Sequence, residues 1–132
     1  MNNAHHEAIQ QWLIKSQRDL KVAKILLDNE ESLLDAVVYH CQQSAEKALK
    51  AYLVSQNVKF VKTHDLDVLL GLCSSSKPDF QNLQEAADIL TPYATEFRYP
   101  GGLIEPERGD AEEAIEMAVW VLNFVTQRLE KQ

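Results

Sequence analysis

Glycine and proline are scarce, four of each in 132 residues. So few breakers leave long stretches free to stay helical, and no segment alternates apolar and polar residues as a half-buried strand would. Cysteine is nearly missing too. Cys41 falls on an apolar helical stripe and Cys73 ends a leucine-rich run, so both are expected to be reduced core thiols and not a disulfide. No apolar run approaches the ~20 residues that span a bilayer. Met1 to Gln11 is polar, which does not suit a signal peptide. No membrane association and a cytoplasmic location are therefore expected. Positive charge is in short supply: 13 Lys and Arg stand against 20 Asp and Glu, a net charge of -7. Non-specific DNA binding, which needs a basic surface, is excluded, whereas a local basic pocket is not. The histidines form no pair at helical spacing four, and the acidic run at 105–116 lacks an Asp-x-Asp calcium pattern. No metal and no cofactor are expected. Gly101-Gly102 is not followed by Gly-Lys-Ser/Thr, so it is no phosphate-binding Walker loop, and no Ser or Cys sits in a nucleophile elbow.

What is present is helical periodicity. A first helix is predicted from about His6 to Asp28, with Ile9, Leu13, Ser16, Leu20, Ala23 and Leu27 on one stripe. Ser32 is placed to cap a second, from about Leu33 to Gln56, whose stripe is Leu34, Val38, Cys41, Ala45, Ala48 and Tyr52. Its alanines allow close approach of a neighbour. Thr63 is the expected N-cap of a short third helix, Asp65 to Cys73. A fourth starts near Asp79, with a kink or restart at Pro92. A fifth follows Asp110 and runs to about Glu130. The pattern predicts an all-α fold, an antiparallel up-and-down bundle of four main helices plus one short helix, in a single domain over 1–132. The fifth helix is apolar on more than one side, through Met117, Trp120 and Phe124. Core filling accounts for most of that, and a homodimer face would account for the rest.

Charge is segregated. Residues 40–64 hold Lys47, Lys50, Lys59 and Lys62 against Glu46, while 105–116 is acidic. His40, Gln43, Lys47 and Lys50 recur at spacings of three and four and so share a helix face. Two ammonium groups beside an amide and an imidazole suit a phosphate and a base or ribose. A solvated face with Glu46 pairing Lys50 is the plainer reading of that helix alone. Lys62-Thr63-His64 opens the short helix, where backbone N–H groups favour anions. Arg98 ends a helix beside the glycine pair, placed either to bond the last carbonyls or to clamp a phosphate.

Taken together, Trp12-Leu13 and Asp19-Leu20, then Gln42-Gln43-Ser-Ala-Glu46-Lys47-Ala-Leu-Lys50-Ala, then Lys62-Thr-His-Asp-Leu66, then Arg98-Tyr-Pro100 resemble the HEPN domain (higher-eukaryote and prokaryote nucleotide-binding). The resemblance covers nearly the whole chain. It implies a four-helix bundle, usually a homodimer, with a nucleotide- or RNA-related role. It also implies, in stand-alone prokaryotic members, a minimal nucleotidyltransferase partner in a toxin–antitoxin-like pair. By motif position the ligand-binding residues would be Gln43, Lys47, Lys50, Thr63, His64, Arg98 and Tyr99. Many HEPN proteins are metal-independent ribonucleases marked by an arginine followed, after four to six residues, by a histidine. Here Arg98 is followed by Tyr-Pro-Gly-Gly-Leu-Ile-Glu, and no histidine follows His64. The ribonuclease motif is absent. A non-catalytic nucleotide-binding component is therefore the leading expectation, and a divergent ribonuclease using His64 with Arg98 is the alternative.

Overall fold

The computed structural model describes residues 3–31, 33–95 and 105–131. Every regular element among them is helical: α1 (Asn3–Leu27), α2 (Leu34–Ser55), α3 (Leu66–Ser76), α4 (Gln84–Leu90) and α5 (Arg108–Glu130). The bundle is antiparallel. Near the start of α1, His5 Nε2 lies 2.7 Å from the Val54 carbonyl near the end of α2, and Arg108 at the start of α5 donates to the Leu27 carbonyl that ends α1. That guanidinium satisfies one of the carbonyls a helix leaves without a donor at its C-terminus.

α2 is the central element. Fourteen of its 22 residues are buried, polar Gln42, Gln43, Ser44, Glu46 and Lys50 among them. A single apolar stripe cannot account for such burial, since only a helix with neighbours on several sides buries more than one face. Ala45, Ala48 and Ala51, none of them exposed, admit those neighbours closely. On another side Tyr52 packs on Phe80 with ring centroids 4.5 Å apart, and Phe80 meets Phe124 edge to face at 5.0 Å. Phe124, one of the residues that widen the apolar face of α5, is thus core, as core filling requires. Trp120 remains 36% exposed.

The end of α2 sets the course of the next segment. Asn57 adopts a left-handed φ of 56°, and the Val58 and Asn57 amides donate back to the Leu53 and Val54 carbonyls at 3.0 Å each. This is a Schellman turn, in which asparagine is the common substitute for glycine. It folds residues 58–65 back along α2.

Several local expectations are amended. The fourth arm is not one helix: a 3-10 turn at Pro78–Leu83 precedes the seven-residue α4, and a second at Thr91–Ala94 follows it. Each 3-10 turn has proline at its first or second position, where the missing amide costs least. α3 is capped by Asp65, which accepts from the Asp67 amide, not by Thr63. α5 begins before Asp110, whose carboxylate accepts from the Glu107 amide at 2.9 Å as the inner half of a capping box. Ser32, Arg98 and Tyr99 lie outside the described residues.

No helix of the described residues is long and apolar enough to cross a membrane. Cys41 and Cys73 are free and buried, and burial pushes each thiol up to about 12. Neither should react with an aromatic disulfide reagent at mildly alkaline pH while the protein is folded, and both should react in denaturant. Fast native labelling of either would contradict the core placement.

Candidate functional site

The polar stripe of α2 is largely turned inward, with Gln43 and Lys50 buried and His40 and Lys47 partly covered. It lies against α1 and the returning segment. α1 presents Trp12, Ser16 and Asp19 at helical spacing, and each meets a polar partner on α2 in antiparallel register. The Ser16 hydroxyl donates to the Ser44 carbonyl at 2.7 Å. Asp19 takes His40 Nδ1 on one oxygen at 2.9 Å and Lys47 Nζ on the other at 2.5 Å. Lys50 Nζ stands 5.4 Å from the Trp12 ring centroid and 5.8 Å from that of Phe60, a cation against two rings that themselves meet edge to face.

The second cluster centres on Glu46, whose side chain is 4% exposed. Its Oε2 accepts from Lys50 at 2.9 Å. Its Oε1 accepts from Gln42 at 3.2 Å and from His64 Nδ1 at 2.8 Å. Gln42 also donates to the His64 carbonyl at 2.9 Å and accepts from Gln43 at 2.8 Å. Both Glu46 oxygens, the Lys50 ammonium and the Gln42 amide therefore have partners, which a buried charge requires.

These contacts sort the expected site residues. Gln43, Lys50 and His64 converge on Glu46, whereas Lys47 joins His40 on Asp19. Lys50 and Gln43 are buried and serve the interior. Thr63 accepts from the Asp65 amide, so with Asp65 and Asp67 at the start of α3 an incoming anion meets two carboxylates there. His64, 58% exposed, His40, 29% exposed, and Lys47, 22% exposed, keep surface. A carboxylate only accepts, so each imidazole donates its Nδ1–H and keeps Nε2 uncommitted among the described residues. Asp19 and Gln42 escaped the sequence reading as site residues. The available signal was Ser16 and Asp19 interrupting an apolar stripe at helical spacing. Among the described residues no group of three or more His, Cys, Asp or Glu could hold a metal ion.

Burial raises the Asp19 carboxyl, but the hydrogen bonds and charges of His40 and Lys47 outweigh it and hold it below its ordinary 3.8. A depressed folded value means stability that is present above 3.8 and lost as pH falls through the lower folded value. Asp19→Asn should therefore cost roughly 1–3 kcal/mol at neutral pH, and the deficit should close on acidification through that window. Urea melts at several pH values would show a constant deficit if the carboxylate were not the cause. Lys50→Met keeps the stem and removes the charge. It should cost about 3 kcal/mol by stranding Glu46, and an unchanged melt would refute the buried pairing.

The HEPN domain family profile matches residues 9–129. The crystal structure of TT1696 from Thermus thermophilus superposes with a TM-score of 0.74 at 27% identity, covering 90% of this chain and 96% of that one. ST0689, an archaeal HEPN homologue, gives 0.71 at 25% identity, covering 91% and 96%. No curated protein matches the chain. With the profile spanning both polar clusters and nearly the whole bundle, the chain belongs to the HEPN domain family.

Proposed function

We propose that this HEPN protein binds a nucleotide or related phosphate anion without cleaving it, as a homodimer that partners a minimal nucleotidyltransferase in a toxin–antitoxin-like pair. The observation that carries the reading is the pair of carboxylate-tethered imidazoles, one of them sharing Asp19 with Lys47. His40 is held on Asp19, His64 on Glu46, and each keeps Nε2 and part of its ring at the surface. Tethering removes rotamer freedom before a ligand arrives, which favours binding. Lys47, His64 and Arg98 are the groups assigned to the phosphates. Lys50 contributes indirectly by holding Glu46, and through it His64. The sequence after Arg98 supports a binding role, because the histidine of the ribonuclease motif is missing.

The same His64–Glu46 contact favours one second reading. An imidazole oriented by a carboxylate is suited to proton transfer, so a divergent ribonuclease would use His64 with Arg98.

Calorimetric titration with ATP and GTP should show saturable binding to the wild type. Binding should be weaker by about tenfold or more in Lys47→Ala/His64→Ala, since a charge-assisted hydrogen bond is worth roughly 1.5–3 kcal/mol. Arg98→Ala should weaken it similarly. Equal binding by all three folded proteins would end the proposal. RNA incubated with excess protein and a chelator should stay intact, and cleavage that disappears in His64→Ala would establish the ribonuclease instead.

A further inference from the structure

A cavity of about 360 Å³ opens at the end of the bundle where α2, α3 and α5 finish. The C-cap residues of those helices, Gln56, Lys77 and Lys131, all line it. Tyr52, Asp79 and Arg128 line it as well. Tyr52 stands about 200° round α2 from Lys50, at ~100° per residue, so this site is separate from the histidine-bearing surface. Its volume falls in the ~300–1,000 Å³ range of small-molecule sites.

Three features define what would fit. First, the lining carries three cations and one carboxylate within a chain of net charge -7. Arg128 is rigid: its Nε and Nη2 donate to Asp79 Oδ2 at 3.0 and 2.6 Å, and its guanidinium carbon sits 3.7 Å from the Phe124 ring centroid. Its Nη1 is uncommitted among the described residues, and neither Lys77 nor Lys131 is ion-paired to a described carboxylate. Second, an unserved acceptor lies beside the cations. Turn amides already serve the Tyr52, Leu53, Val54 and Cys73 carbonyls at the ends of α2 and α3. Asp79 Oδ1 is buried with no hydrogen-bond partner among the described residues, a condition few buried polar atoms tolerate. Third, there is no flat aromatic wall. Tyr52 is 2% exposed, and its ring packs on Phe80.

Cations alone at helix C-termini would be ordinary dipole compensation. Cations together with an unserved carboxylate oxygen in a polar cavity call for a ligand with an anionic group and hydroxyl donors. We propose that the cavity binds a phosphorylated sugar. The phosphate meets Lys77, Lys131 and Arg128 Nη1. A sugar hydroxyl donates to Asp79 after a small turn of its carboxylate. The polar lining disfavours a nucleobase, which needs a stacking face.

Calorimetry on the full chain with ribose 5-phosphate, ribose and inorganic phosphate tests this. Ribose 5-phosphate should bind saturably, and more tightly than either fragment. Lys77→Ala/Lys131→Ala changes only two exposed side chains, and it should weaken that binding about tenfold or more. Lys47→Ala should leave it unchanged. The site is overturned by an absence of saturable binding, by equal affinity in the double variant, or by loss in Lys47→Ala, which would move the ligand to the other surface. Inorganic phosphate binding as tightly as the sugar phosphate would overturn the sugar assignment.

Discussion

Glu46 is the constraint around which this fold is arranged. A carboxylate taken so far out of water costs several kcal/mol unless it is paired and hydrogen-bonded. Each group that satisfies it comes from a different turn of chain. Lys50 must sit one helical turn on, and it stays in place because Trp12 of α1 and Phe60 of the return segment enclose it. Gln42 must reach from one turn before, and it also holds the His64 carbonyl. His64 must arrive from beyond the Schellman turn. Satisfying one charge thus fixes α1 against α2 and both against the start of α3. A buried ion pair scarcely outperforms apolar packing in net stability, so its effect here is on arrangement.

That arrangement changes what the basic residues mean. A helix carrying histidine, glutamine and two lysines at one-face spacing reads as a surface for anions. Two carboxylates have claimed both ammonium groups, and Lys50 is fully interior. What reaches the surface is Lys47 and two imidazoles with their Nδ1 atoms already engaged. An acidic protein has in effect sorted its cations by depth, leaving outside the groups whose second nitrogen is still available.

The long helices were legible because their apolar residues recur at helical spacing: Ile9, Leu13, Leu20 and Ala23 in α1, and Ala118, Leu122 and Val125 in α5, are all buried. The fourth arm was legible only as a region. Pro78 and Pro92 mark its breaks, but whether the residues between form α or 3-10 bonds depends on how Phe80 and Leu83 seat in the core. In the site, the residue types were visible and their partners were not. Lys50 and Glu46 are four apart and can be paired on paper. Asp19 with Lys47 and Asp79 with Arg128 are separated by 28 and 49 residues, and only the packing of whole helices brings them together. Thr63 and Asp65 show the limit at short range: both are good caps, and the choice fell to where the returning chain enters α3.

The return segment is also a ruler. From Gln56 back to Glu46 is ten residues of helix, about 15 Å at 1.5 Å per residue. The chain that covers it, Val58 to His64, is non-helical, and extended backbone advances about 3.3 Å per residue. Seven extended residues would span about 23 Å, so the segment reaches Glu46 without being fully stretched. Lys59, Val61 and Lys62 are exposed on this stretch, so it is the reach of the backbone that matters here more than these side chains. Fewer than about five residues could not span the distance at full extension, and His64 would then stop short of Glu46 whatever the composition.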